Sequence, residues 1–312
     1  MFHTSPHGTD PAEPPLEVLG IGAATWDRFV VVPEFPAGDG VTQALELHEQ
    51  GGGPVATALC VMAALGTPAR LLDTQGDDAT GRAILEELRM LGVRTESIAI
   101  YPGARSALAH ILVRQRDGAR HIFFHPANCP EPDAEVILSK SFGKVGLVHL
   151  NGRHENAARQ ALAWAKEAGV PVSFDGGAGR YRESIRDLVQ GSGLRILARE
   201  FACAFTGASS LESAAEILRE DDPELLVITD GVKGSWVWPR GEASFHEPAV
   251  QVADVVDTTG CGDVYHGAFL HGWMQQWPAQ RCARLASEMA AETARHVGGR
   301  TAIQRIGSSV NQ

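Results

Sequence analysis

The stretch Val255–Phe269 reads VVDTTGCGDVYHGAF, and its pattern sets both the fold class and the chemistry. A β-like run ends in Asp257-Thr258-Thr259, the chain turns through Gly260-Cys261-Gly262, and an apolar helix begins at Asp263. Glycines let a backbone turn tightly and aim several N–H groups at one point. The helix dipole adds partial positive charge there, so strand, turn and helix together make an anion site. Catalysis of phosphoryl transfer is mostly positioning and neutralising such an anion. A carboxylate in the first turn of the same helix can take the proton of an attacking hydroxyl, and Asp263 holds that place. The plain alternative is an aspartate capping a helix after a glycine turn, which any α/β protein can carry. No G-x-x-x-x-G-K-[ST] occurs, so the stretch is not a Walker loop.

Outward from this stretch the chain alternates strands and helices. Leu16–Gly22 (LEVLGIG) suits a buried parallel strand, and further strands are expected at Ala69–Gln75, Val145–Leu150, Val170–Phe174, Leu194–Leu197 and Leu225–Thr229. Helices are expected at Val55–Leu65, Asp77–Leu91, Glu155–Ala168, Tyr181–Val189, Ser209–Glu220, Asp263–Gln275 and Ala279–Val297. Trp236–Pro239 and Ser244–Glu247 suggest a late hairpin. Alternation of this kind implies an α/β fold, a central mainly parallel sheet with helices on both faces. Two places break the rhythm. Arg28–Val32 is a β-like run stopped by Pro33 and followed by a polar, irregular Gly38–Gln50; Ala107–Arg114 and Arg120–Phe124 are joined by Asp117-Gly118, a hairpin signal. These segments, about 28–50 and 105–126, are read as a small β-sheet projecting from one domain at 16–306, with flexible tails at 1–15 and 307–312.

Composition narrows the function classes. The 312 residues are 44% hydrophobic and 21% charged, an ordinary globular balance. A formal net charge of −11 repels a phosphate backbone and argues against nucleic acid as partner. Five cysteines, widely spaced and without a CxxC pair, argue for reduced thiols and a cytoplasmic location rather than a disulfide framework or zinc site. No run is long and apolar enough for a membrane, and the Pro-rich start lacks the core of a signal peptide. Twelve histidines occur without HxH or HExxH; they read as solvated or internally satisfied, with His266 packing beside the helix start.

The string DTTGCGDVYHGAF resembles the C-terminal signature of the PfkB, or ribokinase-like, carbohydrate kinases. GIGAATWDR, EQGGGPVATALCVMAALG, TQGDDATGRAILEELRMLGV and TDGVKGSWVW resemble further motifs of that family, in the same order, from about Leu16 to Arg305. The resemblance implies an ATP-dependent kinase acting on a hydroxyl of a small sugar. Asp263 would be the base, and the backbone of Gly260, Cys261 and Gly262 the anion hole. Asp27, Gly52 and Gly53 would contact the sugar; Thr229, Gly231 and Gly234 would line the nucleotide. Asp257 and Thr259 match positions that hold a monovalent cation such as K⁺, with the loop Val297–Gly299 completing that site. The small sheet would be a lid that closes over substrate and builds a homodimer.

Three departures stand out. Cys261 replaces an alanine, placing a thiol at a helix N-terminus where oxidation is a concern. The N-x-x-E motif that orders Mg²⁺ is absent, with Ala198 and Phe201 in its two places and Glu200 as the nearby substitute. Ala56 stands where a sugar-contacting asparagine is usual. Among branches of the family, GGGPVATA, VVDTTGCGDVYHGA and GGRTAI are most similar to the sulfofructose kinases. Arg153 matches an arginine that helps hold the sulfonate there, whereas Val41 and Phe124 replace two other sulfonate contacts. A ketohexose or an acidic analogue of one is therefore the expected substrate. Phe124 and Trp26 keep a nucleoside kinase open, and the lost N-x-x-E motif keeps open a sugar-binding sensor without catalysis. A Rossmann oxidoreductase is a remote reading, because no G-x-G-x-x-G lies after the first strand.

Overall fold

The computed structural model describes residues 15–303, apart from 136–137 and 139–143. The tails expected at 1–15 and 307–312 lie, Pro15 aside, outside the described residues. Fourteen strands and eight α-helices follow in chain order among the described residues: β1 Glu17–Ile21, β2 Thr25–Val32, β3 Glu46–Gly52, α1 Pro54–Ala64, β4 Ala69–Gly76, α2 Ala79–Met90, β5 Val93–Arg94, β6 Ile98–Tyr101, β7 Leu108–Arg114 and β8 Arg120–His125. Then come β9 Val145–Leu150, α3 Glu155–Ala168, β10 Val172–Gly176, α4 Arg186–Gly191, β11 Leu194–Ala198, α5 Arg199–Thr206, α6 Leu211–Arg219, β12 Leu225–Thr229, β13 Ser235–Pro239, β14 Phe245–Glu247, α7 Cys261–Met274 and α8 Ala279–Thr293.

The main sheet runs β14-β13-β12-β11-β10-β9-β1-β4-β5, with β6 also on β4. From β12 to β5 every pairing is parallel; only the β12–β13–β14 edge is antiparallel. Its inner strands β1 and β9–β12 are buried on both faces and therefore read as near-continuous apolar runs. Neighbouring residues point to opposite faces: Val18, Val227 and Ile196 pack with α1, α7 and α8 in one core, while Leu19, Ile228 and Leu197 pack with α3, α5 and α6 in the other. α3 brings Ala157, Ala158, Ala161 and Ala165 to the sheet, small residues that let the helix approach closely.

A second sheet, β3-β2-β7-β8, stands apart from the first. β2 pairs antiparallel with β3 and parallel with β7, and β7 and β8 form the hairpin turned by Asp117-Gly118. Its inner face, Phe29, Val31, Ala109, Ile111 and Val113, packs with Val297.

Three local expectations fail for physical reasons. Glu46–Gly52 is a strand, although its sequence ELHEQGG looks irregular: it is the edge of the small sheet and its first four residues face water, so no apolar alternation marks it. The helix expected at Tyr181–Val189 splits. Arg182 is extended (φ −149°) before a single 3₁₀ turn at Glu183–Ile185, and α4 begins only at Arg186; Glu155 holds the Arg182 guanidinium at 3.0 Å. Finally, α7 begins at Cys261, not Asp263, with Gly260 as its N-cap.

Candidate active site

The start of α7 makes the anion cradle. Gly260 adopts φ +79°, and a Cβ there would lie 2.5 Å from the Gly299 Cα, so both the left-handed conformation and the close loop crossing require glycine. The next three residues, Cys261, Gly262 and Asp263, occupy the first helical turn, where backbone N–H groups have no intrahelical acceptor. A Cβ on Gly262 would meet nothing within 4 Å. The space before that turn is open. Asp257, fully buried, fastens the turn from below. Its Oδ1 accepts from Thr259 N (2.9 Å) and Oγ1 (2.8 Å), and its Oδ2 accepts from Gly298 N at 2.8 Å.

Asp263 therefore stands in the cradle's own first turn. Burial raises its carboxyl above the ordinary range and the Asp175 carboxylate adds to this, while Arg180, His266 and Arg120 pull it down. Arg120 comes from β8 of the small sheet and donates to Thr258 Oγ1 at 2.5 Å. One strand of that sheet thus touches the cradle directly.

Asp27 reaches the same place from β2. A Cβ on Gly52, across the β2–β3 pairing, would sit 2.0 Å from Asp27 Oδ2, so glycine there leaves room for the carboxylate. Gly53 continues the loop at φ +92° into α1. Thr25 donates to Asp27 Oδ1 at 2.8 Å. Burial pushes the Asp27 carboxyl up to about 6, with Asp263 and Glu87 raising it further and Thr25 and Arg300 opposing. The two carboxylates named from the sequence lie within electrostatic reach of one another, although they are far apart in the chain.

Arg300 is the residue that sequence reasoning missed. It is 0% exposed. It pairs with Glu87 Oε2 at 2.6 Å and donates to the Gly52 carbonyl (2.7 Å) and Thr57 Oγ1 (3.2 Å). Glu87 Oε2 also accepts from Gly51 N at 2.7 Å, while Gln50 bridges Arg300 N and the Val297 carbonyl. This network locks the Gly51-Gly52-Gly53 loop to the loop that crosses Gly260. The only signals in the sequence were a charged residue inside GGRTAI and a glutamate on the inner side of an amphipathic helix.

Arg153 follows β9. His154 holds a left-handed φ of 53° and donates from Nε2 to Asp73 Oδ1 at 2.7 Å, and Asn151 Oδ1 accepts from Arg153 N. The Arg153 guanidinium lies 5.5 Å from the Phe124 ring centroid. Burial, then the nearby positive charges of Arg182 and Arg180, holds its pKa below the usual value. Thr229 ends β12, and Gly231 (φ +52°) and Gly234 (φ +89°) bound the turn after it.

Glu200 is exposed in the first turn of α5, whereas Phe201 is buried against Phe174 and Tyr181. Among the described residues no group of three or more His, Cys, Asp or Glu is arranged to hold a metal ion. The concern over the Cys261 thiol is answered by its surroundings: burial, then Asp257, pushes it up to about 12. The helix start does not make it a thiolate.

A backbone cradle for an anion, flanked by one carboxylate on its own helix and another on a facing sheet, is the arrangement of a phosphotransferase that uses an alcohol as acceptor. The whole chain identifies the family. A model of the pfkB family carbohydrate kinases matches residues 16–305, and the chain belongs to that family. An ATP-dependent ribose-1-phosphate kinase of Halopiger xanaduensis is 29% identical over 289 residues, 92% of this chain and 95% of that protein. A nucleoside kinase of Methanothermobacter thermautotrophicus is 24% identical over 301 residues, covering 95% of both. Among solved structures, a putative ribokinase from Agrobacterium tumefaciens aligns with TM-score 0.84 at 25% identity, over 95% of this chain and 97% of that one. Arabidopsis thaliana ribokinase, complexed with ribose and ATP, aligns with TM-score 0.79 at 22% identity, over 94% and 99%. The fold is thus ribokinase-like, and no helix of the described residues is long and apolar enough to cross a membrane.

Proposed function

We propose that this kinase transfers the γ-phosphoryl group of ATP to a hydroxyl of a small sugar, a ketohexose or an acidic analogue of one. Asp27, with Gly52 and Gly53 alongside, binds the sugar hydroxyls. Asp263 takes the proton as the alcohol oxygen forms its bond to the γ-phosphorus and the bond to the β–γ bridging oxygen breaks, releasing ADP. Backbone N–H groups of Gly260, Cys261 and Gly262 receive the charge of the transferring group, and the Thr229, Gly231 and Gly234 segment lines the nucleotide. The observation that supports this reading is that Asp27, far away in the chain, comes within electrostatic reach of Asp263 in the cradle's first turn.

Mg²⁺ neutralises phosphate charge when bound, and it fits best as an ion carried by the nucleotide's own phosphates with water, because Glu200 is exposed and alone. A K⁺ site at Asp257 and Thr259 has one carboxylate lone pair left, since three donors already occupy Asp257. Arg153, with Arg180 and Arg182 near it, favours an acidic group on the substrate, which an arginine pairs with well. The ribose-1-phosphate specificity named for the Halopiger relative is in keeping with an anionic sugar. Outward-facing Leu47 (71% exposed) and Phe123 (55%) on the edge strands of the small sheet support a homodimer formed through that lid, in the cytoplasm.

ADP release measured across ketohexoses, aldohexoses, pentoses, sugar acids and sugar phosphates tests the substrate class. Faster turnover of inosine or adenosine than of any sugar would establish the nucleoside reading instead, for which exposed Phe124 beside Arg153 offers a stacking surface. No ADP with any acceptor would leave a sugar-binding sensor.

A further inference from the structure

Beneath the cradle lies a buried cluster that the reaction as written does not use. His266 is one helical turn beyond Asp263 on α7 and 3% exposed. Its Nδ1 lies 2.6 Å from the Gly262 carbonyl oxygen. Its Nε2 lies 2.9 Å from the Ile196 carbonyl oxygen and 3.4 Å from Asp175 Oδ1. The two carbonyl oxygens can only accept hydrogen bonds, and Asp175 in its ionised form does the same. A neutral imidazole has one N–H, so either tautomer would point a lone pair at a carbonyl oxygen. Only the imidazolium satisfies both sides.

Asp175, at the carboxyl end of β10, needs such a partner. It is 2% exposed, and neither of its oxygens accepts a hydrogen bond. A buried carboxylate without hydrogen bonds is costly unless an opposite charge stands against it. The next titratable neighbour is His149 on β9, its ring 6.2 Å from that of His266 and its Nδ1 3.2 Å from Ser173 Oγ. Burial pushes His149 down to about 4, with His266 acting in the same direction and Asp175 against it. His149 is therefore neutral.

We propose that His266 is a standing imidazolium, paired with Asp175, that keeps the neighbouring Asp263 ionised and holds the Gly262 peptide of the anion hole in place. It is a positioning residue that acts through Asp263, and this part of the proposal rests on Asp263 being the base. The charges that bear on Asp263 come from every side: Arg180 after β10, Arg120 on the small sheet, Asp27 across the site, and the Asp175–His266 pair below. Without His266 the unbalanced Asp175 carboxylate would favour the protonated, inactive form of the base.

Two measurements decide the matter. In protein labelled with ¹⁵N in its histidine rings, the His266 signals, assigned by their loss in His266→Gln, should show both nitrogens protonated at pH 8. A single protonated nitrogen there overturns the proposal, whether or not the protein is a kinase. In steady-state kinetics with the best sugar acceptor, His266→Gln should move the acidic limb of the kcat profile up by about 1–3 pH units. The lost activity should return by pH 9, and adding Asp175→Asn should bring the limb back down. An equal loss at every pH would reduce His266 to a packing residue. Full turnover in Asp263→Asn would instead remove the base and leave the ring spectra standing.

Discussion

Asp27 should make the enzyme less stable than its fold permits, and replacing it should show by how much. In the folded chain burial holds its carboxyl near 6, against 3.8 for the free group. Between those values the native state keeps a proton that the unfolded chain has released, so stability falls as the pH rises through this window. Above about pH 7 the whole difference is lost: about 2.2 units at 1.36 kcal/mol each, or roughly 3 kcal/mol. Asp27→Asn removes that penalty. The amide oxygen can still accept from Thr25, while its unpartnered NH₂ gives back about 1 kcal/mol, leaving a net gain of about 2 kcal/mol. An unfolding entropy of about 2.1 cal/mol/K per residue turns this into a Tm rise of roughly 3 °C at pH 8. Calorimetry at pH 8 and pH 3 tests it: the gain should vanish at the lower pH, where Asp27 is protonated in both states. The variant should also lose sugar binding, with KM up about tenfold or more. A Tm difference of the same size at both pH values, or a variant less stable at pH 8, would refute the argument.

Asp263→Asn should lower kcat by about 10²–10⁴ with little change in Tm, because the amide keeps the shape and loses the base; unchanged turnover would exclude Asp263. Arg300→Met should cost about 3–5 kcal/mol by stranding Glu87, while Glu87→Met combined with Arg300→Met should recover much of it; denaturant titration reads both. Cys261 should resist alkylation by iodoacetamide at pH 8, as its thiol stays protonated to about pH 12, and peptide mass spectrometry would find carboxymethylated Cys261 if that reasoning fails.

What the sequence conveys depends on the range over which a contact is made. The cradle is local: a strand end, a glycine turn and a helix start within nine residues, so VVDTTGCGD carries its meaning in one line. The parallel sheet was legible because strands buried on both faces are written as apolar runs. Asp27 was found through a resemblance, since nothing around TWDR reveals that it comes within electrostatic reach of Asp263. Arg300 and Glu87, 213 residues apart, could not be paired from either neighbourhood. His266 looked like a packing residue, and it is buried; what sets it apart is three oxygens supplied by Gly262, Ile196 and Asp175, which no obvious sequence pattern marks. β3 escaped notice because an exposed edge strand has no buried face to print a pattern.

The small sheet has a consequence of its own. Asp27 and Arg120 ride on strands joined through one continuous ladder, β2–β7–β8, so they cannot depart separately. On the proposed roles, a swing of that sheet away from α7 would withdraw Asp27 and Arg120 in a single stroke. On that proposal ATP arriving alone would meet half a machine, and wasteful cleavage by water would be held back by the same motion.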